Sequence, residues 1–96
     1  MKTKIEVENK LKSLKPILSK KYYVDKIGVF GSFARNEQKT GSDIDILVSF
    51  KKPVGWEFFD LKEFLERELN LQVDLVSEKG IKQQLKHIIL NSVEYI

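Results

Sequence analysis

Ninety-six residues and 11.2 kDa leave room for one small hydrophobic core, so the reading is a single domain over 1–96 and not a multidomain enzyme. With 42% hydrophobic and 32% charged residues the chain has the composition of a folded globule, not of a disordered or fibrous segment. The absence of cysteine and the single histidine, His87, exclude disulfides, thiolate chemistry and zinc sites built on Cys or His, which leaves carboxylates as the only candidate metal ligands.

The net charge of +3 is unevenly spread. Residues 1–26 carry eight lysines against Glu6, Glu8 and Asp25, whereas the remainder is slightly acidic. Arg35 and Arg67 are the only arginines, so bidentate recognition of bases or phosphates has few carriers, and the lysines read first as a solvated helix face. Direct nucleic-acid binding through them is the weakest functional reading. No stretch approaches the roughly 20 apolar residues of a membrane span, and Met1–Lys4 leads into no apolar signal core; the expectation is a cytoplasmic protein without a membrane partner.

Val7, Leu11, Leu14 and Leu18 recur at helical spacing among lysines, predicting an amphipathic helix over 1–20 that Pro16 should kink or end. The apolar run Lys26–Phe30 predicts a buried strand that stops at Gly31-Ser32, with a short helix through Phe33, Ala34 and Arg35 and an exposed loop from Asn36 to Gly41. Alternation from Asp43 onward predicts a second strand, with Asp43, Asp45 and Leu47 on one face and Ile44, Ile46 and Val48 on the other. After the turn-rich Lys51–Gly55, the positions Phe58, Leu61, Leu65 and Leu69, with Phe64 beside them, mark a helix whose glutamates Glu57, Glu63 and Glu66 read as solvated. Trp56, Phe58 and Phe59 at its start read as core or partner contacts first and as an adenine-stacking surface second.

Leu71–Val76 predicts a third strand with Val73 and Leu75 on one face and Asp74 on the other, and Gly80 precedes a last helical pattern through Ile81, Leu85, Ile88 and Ile89 within the segment 81–96. His87 reads as a surface residue of that helix. The alternation of helices and strands, with a sheet region over 27–76, argues for an α/β or α+β fold in which helices flank a small mixed sheet.

Two aspartates on one face of an otherwise aliphatic strand run against β-propensity and against the cost of burying like charges. Side by side they can grip divalent cations, and a third acid from a neighbouring strand completes an oxygen-rich set suited to Mg²⁺. In two-metal phosphoryl or nucleotidyl transfer the ions stand about 3.5–4 Å apart, and Asp43, Asp45 and Asp74 suit that need. Taken alone, the pair reads first as wet aspartates of a solvent-facing edge strand. Gly31-Ser32, at a strand-to-helix turn, offers backbone N–H groups and a hydroxyl to phosphate oxygens, although the same dipeptide also makes an ordinary turn.

Gly31-Ser32, ten intervening residues and Asp43-Ile44-Asp45 form a G-S-x10-D-x-D pattern that resembles the signature of the DNA polymerase β-like nucleotidyltransferase superfamily. The wider blocks IGVFGSFAR, SDIDILVSF and VDLVSEKGI, from about residue 22 onward, are similar to the minimal, MNT-type nucleotidyltransferases. The resemblance implies the polymerase β-like palm fold. It implies Asp43 and Asp45 as shared ligands of two Mg²⁺ ions, Asp74 as the third ligand at the acceptor side, and Gly31 and Ser32 as the binders of the triphosphate. Arg35 and Lys39 lie between these blocks, where either could neutralise phosphate charge or simply face solvent. Relatives often have Gly where this chain has Asn36, a residue that tolerates the left-handed conformation.

The activity so implied is transfer of a nucleoside monophosphate, AMP from ATP, to an acceptor hydroxyl. In relatives of this kind the partner is often a small helical HEPN toxin with the MNT protein as antitoxin, and the resemblance implies a tyrosine of such a toxin as the acceptor. The alternatives are an MNT-like antitoxin that silences its partner by binding alone, and a transferase acting on a small molecule such as an aminoglycoside. Self-association through Trp56–Phe59 stays open.

Overall fold

A computed structural model describes residues 3–39 and 43–96. Its elements run α1 (Lys4–Tyr22), β1 (Val24–Phe30), α2 (Gly31–Ala34), β2 (Ile44–Phe50), α3 (Glu57–Leu69), β3 (Val73–Ser77), a 3₁₀ turn (Glu78–Gly80), α4 (Gln83–Ser92) and β4 (Glu94–Tyr95). The strands form one mixed sheet in the order β3-β2-β1-β4. β1 pairs antiparallel with β2 and β4, whereas β2 and β3 run parallel with α3 as their crossover. The expected mixed sheet with flanking helices is the observed architecture.

The core lies on one face of this sheet. Val7, Leu11, Leu14 and Leu18 of α1 and Leu61, Leu65 and Leu69 of α3 are buried, as their spacing predicts, against Ile27 and Val29, Ile44, Ile46 and Val48, and Val73 and Leu75. Each such aliphatic side chain contributes about 1.5–3 kcal/mol by leaving water. Thr3 caps α1 by accepting from the Glu6 N–H at 3.1 Å, and Tyr23 ends it in the left-handed conformation, φ 60°.

Pro16 does not end α1, which continues to Tyr22. The proline sits on the exposed side, where water can serve the carbonyl that loses its helical donor, while Leu14 and Leu18 hold the flanking turns on the core. Two further expectations are corrected. Glu66 is not merely solvated: its Oε2 accepts from the Val73 N–H at 3.0 Å and fixes the start of β3 to α3. Glu57 likewise accepts from the Gly55 N–H at 2.9 Å and shapes the turn before α3. Along α4 no residue is buried, and Leu85 and Ile88 stand 47% and 62% exposed. The predicted tail contains a short strand, β4, tied to α1 by a Lys4–Glu94 ion pair at 2.7 Å. Met1 and Lys2 of the first expected helix, and Thr40 and Gly41 of the expected loop, lie outside the described residues.

Candidate active site

Period-two geometry turns Phe30 on β1, Asp45 and Leu47 on β2, and Asp74 on β3 to the face opposite the core. The register sets Asp45 directly beside Asp74 in the parallel pair and directly opposite Phe30 in the antiparallel pair. Two carboxylates on neighbouring strands therefore meet side by side, with Asp43 one residue before β2. Asp43 and Asp74 are exposed and Asp45 is half-buried.

The cost of that meeting falls on Asp45. Its carboxyl is pushed up to about 6 by partial burial, then by the charge of Asp74, a hydrogen bond to Asp74 and the charge of Asp43; Arg35 opposes the rise. Cross-strand like charges are destabilising in an ordinary sheet, so the pair is a local conflict that a bound cation would relieve. The three acids are the hard oxygen donors that Mg²⁺ prefers. In the conformation described, no three acidic or imidazole groups among the described residues enclose a common point, and Asp45 and Asp74 share a hydrogen bond instead. The donor chemistry fits a divalent ion, and binding one would draw the carboxylates around it.

Gly31 brings the second half of the site against the first. Its φ is +71°, and a Cβ built there would lie 2.1 Å from Asp45 Oδ2. Only glycine lets the β1–α2 turn run this close to the carboxylate. No side chain caps the short helix that Gly31 opens, and buried Phe33 and Ala34 anchor it. Ser32 follows, half-buried, with its carbonyl accepting from the Glu37 N–H at 2.8 Å. Asn36 adopts the left-handed conformation, φ 58°, which its side chain type tolerates.

The structure thus brings together Gly31, Asp45 and Asp74, with Ser32 next in chain and Asp43 close enough to act on Asp45 through its charge. Arg35 is exposed, its Nε 3.5 Å from Glu37 Oε1, and its charge reaches Asp45 only weakly. His87 lies exposed on α4 beside Asn91. Trp56 and Phe59 are 81% and 57% exposed, their rings 5.9 Å apart and tilted by 50°, while Phe58 turns inward against Phe50. The Gly31–Asp45 approach is a feature that residue spacing alone did not predict; a glycine at the last position before a helix was its only sequence signal.

Three comparisons place this arrangement among known proteins. A protein adenylyltransferase of Thermococcus cleftensis, MntA, is 41% identical over 100% of this chain and 98% of its own length. A solved structure described as a candidate minimal nucleotidyltransferase superposes with a TM-score of 0.85 at 28% identity, covering 97% of this chain and 95% of the other. A toxin–antitoxin complex crystallised with AMP-PNP superposes with a TM-score of 0.76 at 26% identity, covering 92% of this chain and 70% of that one. The family model for the nucleotidyltransferase domain matches residues 11–96, a span that holds the glycine–serine turn and all three aspartates, and the chain belongs to that family.

Proposed function

We propose that this protein is an adenylyltransferase that moves AMP from ATP to a tyrosine hydroxyl of a helical HEPN partner and so acts as its antitoxin. The observation that carries the reading is the convergence of Asp45, Asp74 and the Gly31 turn on one open sheet face, at the cost of raising Asp45 to about 6. A pure binding module has no use for that cost. The 41% identity to an adenylyltransferase and the likeness to a toxin–antitoxin complex with AMP-PNP support an adenine nucleotide as donor and a toxin as partner.

In this reading the N–H groups of the Gly31-Ser32 turn and the Ser32 hydroxyl hold the phosphates of ATP, with Arg35 at the rim as a further positive charge. Asp43, Asp45 and Asp74 hold Mg²⁺, two ions in the form the resemblance implies. When bound, the metal supplies charge neutralisation to the phosphates. The acceptor oxygen attacks the α-phosphorus and forms the new O–P bond, the bond from that phosphorus to the bridging oxygen breaks, and pyrophosphate leaves with the electron pair. The hydroxyl proton passes to Asp74, the exposed member of the pair. Little else is asked of side chains, because positioning and charge complementarity lower the barrier in such transfers.

The test is incubation with ATP labelled at the α-phosphate, Mg²⁺ and the partner protein. Label should move to the partner with wild type and fall at least about a hundredfold with Asp43→Asn/Asp45→Asn, a loss typical of removing electrostatic stabilisation at the reacting phosphate. Equal labelling by both proteins would overturn the assignment of these acids.

A further inference from the structure

A cavity of about 680 Å³ opens at the other end of β2, lined by residues from the start of β1, the end of β2, the turn after it, the start of α3, the end of β3, the 3₁₀ turn and α4. It shares no lining residue with Gly31, Ser32, Asp43, Asp45 or Asp74. Asp45 and Ser49 are separated by four residues of strand, roughly 13 Å at the usual rise, and Leu47 between them on the same face is fully buried, so the sheet is covered there. The cavity is a second cleft and not an extension of the carboxylate site.

Its chemistry is two-sided. Four lysines, Lys26, Lys52, Lys79 and Lys86, surround it, and the acids Asp25 and Glu78 offset only half of their charge. Lys52 spends its ammonium over the Tyr23 ring at 3.9 Å. Among the described residues no ion pair engages Lys26, Lys79 or Lys86, which leaves three ammonium groups for a bound anion. The apolar part is supplied by half-buried Phe50 and Phe58, packed edge to face at 6.4 Å, with Pro53 and Val54 beside them. The volume lies within the range of small-molecule sites, and unpaired cations next to an aromatic wall are the complement of an anionic headgroup joined to a planar ring. Asp25 and Glu78 at the margin would repel an extended polyanion, which favours a mononucleotide over a nucleic-acid strand.

We propose that this cleft is a second nucleotide site, in which Lys26, Lys79 and Lys86 hold a phosphate and the Phe50–Phe58 wall holds the base, independent of the carboxylate site. Nothing in it relies on the transfer reaction. The test is titration of the ¹⁵N-labelled full chain with AMP in the presence of EDTA, followed by amide chemical shifts. Saturable shifts are expected at Ser49–Lys52, Val54 and Ser77–Lys79. They should persist in Asp43→Asn/Asp45→Asn and weaken at least about tenfold in Lys79→Gln/Lys86→Gln, two exposed positions whose change leaves the core intact. Inorganic phosphate, lacking a base, should bind these same amides at least about tenfold more weakly. Shifts confined to the Gly31–Ala34 and Asp43–Asp45 segments, an unchanged affinity in the lysine variant, or equal binding of phosphate and AMP would each overturn the proposal. Loss of AMP transfer with these shifts intact would count against the activity and not against the cleft.

Discussion

Gly31 and Asp45 carry the proposed site at the level of single residues, and each makes a sharp prediction. An alanine at Gly31 would have to hold φ +71° and would drive its Cβ into Asp45 Oδ2. Left-handed strain alone costs roughly 1–2 kcal/mol, so Gly31→Ala should lower stability in denaturant by at least that and abolish transfer; an unchanged unfolding midpoint would refute the close approach. Asp45 works in the opposite sense. Because its folded carboxyl is raised to about 6 by burial and by Asp74, the folded state binds a proton where the unfolded chain has lost it. Stability should therefore fall as pH rises from about 4 through 6 and level off above. Asp45→Asn should remove that decline and melt higher than wild type at neutral pH while losing transfer. Parallel melting-temperature profiles for the two proteins between pH 4 and 8 would show that Asp45 is not the group responsible. These conflicts were half legible in the sequence. Period-two spacing put Asp45 and Asp74 on strand faces away from the aliphatic residues, but only the pairing register, a long-range property, sets them side by side.

Elements were legible where one face is buried and obscure where it is not. The strips of α1 and α3 fell where helical spacing put them, since Val7 to Leu18 and Leu61 to Leu69 pack on a continuous aliphatic sheet. α4 has a similar apolar spacing, yet Leu85 and Ile88 meet solvent, because spacing specifies a stripe and not what covers it. Glu66 escaped notice for a related reason: its hydrogen bond to the β3 backbone depends on where the α3–β3 turn returns the chain. Pro16 illustrates tertiary override, with an unfavourable residue carried inside a helix by the core contacts on either side. Pro16→Ala restores a donor to the Lys12 carbonyl and removes the ring clash, so it should stabilise the protein by about 1–3 kcal/mol. A lower melting temperature would mean that the proline's restraint on the unfolded chain outweighs both.

At the scale of the molecule, one sheet separates two tasks. Its inner face, with α1 and α3, supplies the core, and its outer face presents the acids and the glycine–serine turn, while the lysine-rimmed cleft sits at the far end of β2, where Phe50 and Phe58 at the margin of the core meet Ser49 of the other face. No helix among the described residues is long and apolar enough to cross a membrane. The whole fold buries little beyond that single core, and the exposed Trp56, Phe59, Leu85 and Ile88 leave apolar surface that the domain does not cover itself. In the proposed function such a small scaffold performs chemistry on a helical partner and does not merely bind it. The most direct measurement is the intact mass of a candidate HEPN toxin purified after co-expression with wild type or with Asp43→Asn/Asp45→Asn. One or more AMP additions on the toxin from wild-type cells, located on a tyrosine, and an unmodified, active toxin from the variant are expected. An unmodified toxin from both, silenced equally by both proteins, would contradict the proposed function.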